Sequence, residues 1–234
     1  RDGGVPCARI FWQRGKRKMS GSAKLSTVIF DMDGCLIDTE QAYIQAWAHA
    51  FEVKGIPIAS EELISWAGTG KNEINDIVTG IVGSRELAME LRQIREDYFY
   101  VLLERGNIYE KPYASEILDF LKRRGIRTAV ASSTFSDRGN VLLEYFKLRD
   151  KLDCVTWGDE VEHPKPSPDP YLKTLEKCRV SREECIVFED SYNGVLAALN
   201  AGLRVIHVPD TSVKMKKELP PVYTSVHDFK EGME

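Results

Sequence analysis

The chain has 234 residues, 43% of them hydrophobic, enough for one large core with a smaller insert, and no apolar run is long enough to cross a bilayer. Its formal net charge of −4 is uneven: residues 1–18 hold six Lys or Arg and one Asp, +5 in all, which leaves −9 on the remainder. An acidic body of this kind argues against a nucleic-acid partner, because phosphate-backbone binding needs a basic face.

Residues 1–23 show no convincing helical or strand period and are expected to be a basic extension outside the fold. The segment starts at Arg1, as a processed end, an appended segment or translated upstream sequence would, and Met19 is a sensible native start. Short β-branched runs bounded by turn residues then appear at 26–31, 127–133, 153–159, 184–190 and 203–209. They predict buried parallel strands. Helical patterns between the later runs end in Gly125 and Gly202. Strand, helix and strand in succession predict an α/β fold with a doubly wound, Rossmann-like parallel sheet.

Residues 40–105 break that rhythm with helical patterns alone. Tyr43, Trp47 and Phe51 share one face of a helix that Gly55 ends, while Ser84 can cap a longer helix carrying Leu87, Leu91, Ile94, Tyr98 and Leu102, ended by Gly106. Such a block after the first strand predicts an inserted helical cap, with 24–39 and 106–234 as the catalytic core. The run "SRELAMELRQIRED", 84–97, reads as a solvated face. The cap stretch "AGTGKNE" fails as a P-loop, since Ser65 replaces the leading glycine and no strand precedes it. Its glycines still present Lys71 as a mobile cation and a candidate substrate contact. Trp47 and Trp66 read as cap core.

The stretch "VIFDMDGCLIDTE", 28–40, sends Asp31 and Asp33 out of a hydrophobic strand. Residues i and i+2 of a strand project to one side, so both carboxylates can enter the crevice at the strand's carboxyl end. Two anions so placed need a shared proton or a cation. Asp38 reads as a helix cap or hinge acid. Other strand ends supply Ser132, Ser133 and Thr134, then Lys165 in a loop stiffened by Pro164, Pro166, Pro168 and Pro170, then Glu189 and Asp190. Carboxylates beside hydroxyls and an ammonium suit magnesium-dependent phosphoryl transfer. The four histidines are scattered without zinc-ligand spacing. The five cysteines, Cys7, Cys35, Cys154, Cys178 and Cys185, form no C-x-x-C pair, which points to a reduced, cytoplasmic protein.

"DMDGCLIDTE", "VASST", "HPKPSPDP" and "FEDSYNG" resemble the four motifs of the haloacid dehalogenase superfamily in its β-phosphoglucomutase-like branch, in order, over about residues 26–210. The resemblance implies that Asp31 attacks phosphorus to form an aspartyl-phosphate and that Asp33 protonates the leaving oxygen and then activates water. It implies that Ser132 and Lys165 hold the phosphoryl group. Mg²⁺ would be bound by Asp31, the Asp33 carbonyl and Asp190, with Glu189 direct or through water. Ser133 and Lys71 would contact substrate. Pro164 departs from the glycine of many relatives. An acid at Asp33, which dehalogenases of the superfamily lack, favours phosphate esters. The expected function is therefore a Mg²⁺-dependent, monomeric phosphatase of a small phosphorylated metabolite, a sugar phosphate, with no nucleic-acid or membrane partner. The alternatives are a β-phosphoglucomutase-type mutase and a non-catalytic interaction module. Tyr43 stands where the resembling mutases carry a proton-shuttling histidine, which favours hydrolysis.

Overall fold

A computed structural model of the chain describes residues 24–67, 69–210 and 218–233, apart from the side chains of residues 71 and 72. The expected basic extension and the Lys71 side chain lie outside the described residues. Among the described residues no helix is long and apolar enough to cross a membrane.

The chain opens with β1 (Thr27–Phe30) and a short β2 (Ile37–Asp38). Four helices follow: α1 (Glu40–Val53), α2 (Ser60–Ile64), α3 (Lys71–Val82) and α4 (Arg85–Glu104). After β3 (Tyr109–Glu110) come α5 (Ala114–Arg123), β4 (Arg127–Ala131), α6 (Ser136–Tyr145), β5 (Cys154–Thr156) and α7 (Asp169–Cys178). The chain continues through β6 (Cys185–Glu189), α8 (Tyr192–Asn200), β7 (Arg204–His207), β8 (Thr224–Ser225) and α9 (Phe229–Met233).

Six strands form one sheet in the order β5-β4-β1-β6-β7-β8, every pair parallel. The pleat divides the core in two. Val28, Phe30, Val130, Ile186 and Phe188 pack with Ile117, Leu118, Leu142 and Phe229 on one face. Ile29, Ala129, Val187 and Val205 pack with Tyr171, Leu175, Val195 and Ala198 on the other. Helices on both faces explain why these strands read as continuous apolar runs. Phe30 and Phe188 stack at 5.1 Å with Phe229 edge-on to Phe30 at 5.8 Å. Phe188→Ala should cost about 3–5 kcal/mol through lost burial and a residual cavity. Urea unfolding checks this, and a loss under about 1 kcal/mol would show that the face repacks.

Helices α1–α4 pack around a third cluster containing Trp47, Phe51, Leu63, Trp66 and Leu91. Ser84 Oγ accepts from Leu87 N at 3.2 Å, as expected of the cap of α4. β2 and β3, which precede and follow this block, pair antiparallel, so the chain leaves and re-enters side by side. Neither that pair nor β8 is foreseen from the sequence, because two-residue strands carry no period. The predicted strands also run one to three residues too long at their carboxyl ends. Residues 157–159, for instance, turn away after β5, where Gly158 N bonds Thr134 O at 2.9 Å.

Candidate active site

The sheet order reverses at β1, which lies between β4 and β6, and at such a switch point the loops diverge to leave a crevice. Asp31 follows β1, Ser132 follows β4, and Glu189 and Asp190 end and follow β6. Lys165 comes from the loop between β5 and α7. The structure brings all of them, with Asp33, into one place, as the sequence predicts. The route differs for the first pair. β1 stops at Phe30, so Asp31 and Asp33 lie beyond the strand, where Asp33 makes an isolated bridge to Ile37. The turn rather than the pleat positions them. Gly34 holds this turn at φ +79°, and a Cβ there would collide with the Asp190 carboxylate.

Asp31, Glu189 and Asp190 are buried, each offering an oxygen within 4.8 Å of the others. Lys165 Nζ donates to Asp31 Oδ1 and, at 2.7 Å, to Glu189 Oε1. Three carboxylates thus face one ammonium, a deficit of two positive charges that a divalent cation matches. Burial, offset in part by Lys165 and reinforced by Glu189 and Asp33, pushes the Asp31 carboxyl up to about 8. Burial, then Glu189 and Asp31, pushes Asp190 well above the carboxylate range. Burial opposes the Lys165 charge, but Asp31 and Glu189 outweigh it and keep the ammonium protonated. Asp190 Oδ1 is buried with no hydrogen-bond partner among the described residues. An orphaned oxygen in an oxygen-only, under-compensated cluster fits a hard divalent ion.

Glu189 differs from its neighbours in that both oxygens are occupied. Oε1 also accepts from Tyr171 Oη at 2.7 Å, and Oε2 accepts from the backbone N of Asp190 and Ser191 at 3.1 and 3.2 Å. It braces Lys165 and the Asp190 loop together.

Asp33 is held by hydroxyls. Oδ1 accepts from Thr39 Oγ1 at 2.9 Å and Tyr43 Oη at 3.1 Å, and Oδ2 from Ser132 Oγ at 3.2 Å and Thr134 Oγ1 at 2.7 Å. Thr134 is among the strand-end hydroxyls that the sequence offers, whereas Thr39 and Tyr171 join the site in a role that their sequence surroundings do not assign to them. Thr39 carries the one usable signal, in that it lies six residues from Asp33 in the same motif. Ser133 is exposed at the rim, and Asp38 sits in β2 with Lys111 Nζ 3.9 Å from its Oδ2, as a hinge acid would.

Above these groups opens a cavity of about 610 Å³, lined also by Trp47, Trp66, Arg92, Arg95 and Glu96 of the helical block and by Arg138 of α6. The reading of 84–97 as a solvated face is corrected here. Arg95 is only 4% exposed, four residues after buried Leu91 and four before buried Phe99, so it points inward with them.

A family model described as haloacid dehalogenase-like hydrolase matches residues 28–208. Phosphorylated carbohydrates phosphatase of Thermotoga maritima is 33% identical over 184 residues, covering 78% of this chain and 84% of that protein. Pyrophosphatase PpaX of Bacillus cereus is 28% identical over 188 residues, covering 79% and 83%. The crystal structure of CbbY from Rhodobacter sphaeroides in complex with phosphate aligns with a TM-score of 0.75 at 27% identity, covering 88% of this chain and 95% of that one.

Proposed function

The chain belongs to the haloacid dehalogenase-like hydrolases, and we propose that it is a Mg²⁺-dependent phosphatase of a small phosphorylated metabolite, a sugar phosphate, working through an aspartyl-phosphate. The observation that carries this is the pairing of a buried, cation-deficient acid cluster with a lysine bonded to Asp31, at the mouth of a cavity sized for a small molecule. The carbohydrate phosphatase relative supports the substrate class.

Asp31 and Asp190, with the Asp33 carbonyl, would hold Mg²⁺. The bound ion supplies charge neutralisation of the phosphoryl oxygens. Glu189 acts from behind, fixing Lys165 and the Asp190 loop. Asp31 attacks phosphorus, and Lys165 and Ser132 hold the transferring oxygens. Asp33 exchanges its bonds with Thr39 and Tyr43 for the leaving oxygen, gives it a proton, and recovers one from the attacking water. Burial holds the Tyr43 phenol above its ordinary range, with Arg138 opposing, so Tyr43 serves Asp33 as a hydrogen-bond donor and not as a proton shuttle. Hydrolysis is the expected outcome. Residues 40–105 form the cap that closes the cavity, and Trp47 and Trp66 line it from that side.

The test measures phosphate released from a panel of sugar phosphates and from p-nitrophenyl phosphate, with Mg²⁺ and with excess EDTA. β-Glucose 1-phosphate primed with β-glucose 1,6-bisphosphate is scored for glucose 6-phosphate as well. Release with Mg²⁺ that EDTA silences is expected. Full activity in EDTA would remove the metal, and isomerisation outrunning release would replace the phosphatase with a mutase.

A further inference from the structure

Two cysteines that phosphoryl transfer leaves unused meet at the edge of the sheet. Cys154 opens β5, the outermost strand beside β4, and Cys178 closes α7. Cys154 pairs in register with Ala129, so its side chain shares the sheet face on which Tyr171, Leu175 and Cys178 pack. Two residues along the strand Thr156 repeats this direction, and one helical turn before Cys178 so does Thr174. The two threonine hydroxyls meet at 2.8 Å. α7 therefore runs back along β5 with side chains matched in pairs, Thr174 on Thr156 and then Cys178 on Cys154. The second pair touches as well, the Cys178 thiol donating a hydrogen bond to the Cys154 sulfur.

The end of the helix is held down at that point. Lys177 Nζ donates to the Val155 carbonyl at 2.7 Å, and Arg127 Nη1 to the Cys178 carbonyl at 2.6 Å. The two thiols also differ as an attacking and a resolving thiol must. Among the described cysteines Cys154 alone is not buried. The bond from Cys178 outweighs burial and, with the Lys177 charge, holds the Cys154 thiol below its ordinary range. The same bond, then burial, pushes Cys178 up. Cys35 and Cys185 are fully buried, and burial raises both. A partly exposed thiol that ionises readily reacts, whereas buried ones are inert.

We propose that Cys154 and Cys178 form a reversible disulfide when the protein meets a low-molecular-weight disulfide such as oxidised glutathione. The Cys154 thiolate attacks one sulfur of the reagent, whose S–S bond breaks, and one glutathione leaves. Cys178 then loses its proton, attacks the Cys154 sulfur and expels the second glutathione. The two cysteines are oxidised, the reagent is reduced to two thiols, and the two protons that the cysteines lose end on those thiols. The bond closes the segment 154–178, which carries Lys165. It lies at the amino end of β5, opposite the end where the site gathers, so it fastens α7 to the edge strand without entering the crevice.

The test exposes the full chain to oxidised glutathione, quenches it in acid, alkylates the remaining thiols under denaturing conditions and maps the peptides by mass spectrometry. A Cys154–Cys178 linked peptide that dithiothreitol removes is expected, with Cys35 and Cys185 alkylated. Cys178→Ser should retain one glutathione on Cys154, and Cys154→Ser should show no adduct on Cys178. Closing a loop of this length should raise the thermal midpoint of the oxidised wild type by about 5–10 °C over the reduced form, a rise that Cys154→Ser lacks. A bond from Cys154 or Cys178 to any other cysteine, or a wild type that stops at the glutathione adduct, would overturn the proposal. An oxidised form no more stable than the reduced one would do the same.

Discussion

Asp31→Asn is expected to lower turnover of every substrate by on the order of 10⁴-fold or more, the scale of losing a covalent nucleophile, while the fold persists. The amide keeps the size and part of the hydrogen bonding of the acid but has no anion with which to attack phosphorus. Stability moves in a particular direction with pH. The Asp31 carboxyl is raised from 3.8 to about 8 in the folded chain, chiefly by burial. A raised acid binds its proton more tightly folded than unfolded, so its contribution is complete below the unfolded value and is lost as pH rises through the folded one. In EDTA, wild-type stability should therefore fall between about pH 4 and pH 8 more steeply than that of Asp31→Asn. Thermal midpoints at both ends of that window check this. Turnover within tenfold of wild type would end the nucleophile assignment, and parallel pH profiles would remove Asp31 as the titrating group.

Lys165→Met should be the most damaging single change to site and fold together. It removes the ammonium bonded to Asp31 and Glu189 and leaves buried carboxylates uncompensated. Breaking a buried ion pair from one side costs about 3–5 kcal/mol. The cost depends on pH, because the acids concerned bind protons readily: Asp31 is raised to about 8 and Asp190 well above its ordinary value. Below about pH 8 they keep their protons in the folded chain, so the penalty should be small there and grow as pH rises past 8. Urea unfolding of wild type and variant at pH 6.5 and pH 9.5, both in EDTA, measures it. Equal losses at the two pH values would show that packing, not charge, is what Lys165 supplies. Activity should be lost at either pH, since the transferring phosphoryl oxygens lose their fixed cation.

Those two residues, with Asp33, Ser132, Glu189 and Asp190, are all legible in the amino-acid sequence, and for one reason. Each stands at or just past the end of a buried strand or in a proline-bound loop, so local pattern alone fixes which end of the sheet it occupies. The family motifs then order them. The arginines that line the cavity are not legible in this way. A window over 84–97 sees alternating charges and averages them into a solvent face, although Arg95 falls in step with Leu91 and Phe99. What turns that step inward is the packing of α4 against α1, where Tyr43 and Phe99 stack at 4.8 Å.

The parallel sheet and the gathering of these residues at its switch point thus follow from the order of amino acids alone, because strand periodicity and motif spacing are local properties of the chain. Which oxygens are already taken, and which charges lack partners, is settled by the folded arrangement. Glu189 becomes a brace because Tyr171, eighteen residues earlier, reaches its Oε1, and Asp33 is held in part by Ser132 and Thr134, about a hundred residues away. Arg138 meets Glu96 across forty-two residues and two different helices. Hydrogen-bond and charge balance depend on every group within a few ångströms, and distance in space across such separations is not written in the order of residues.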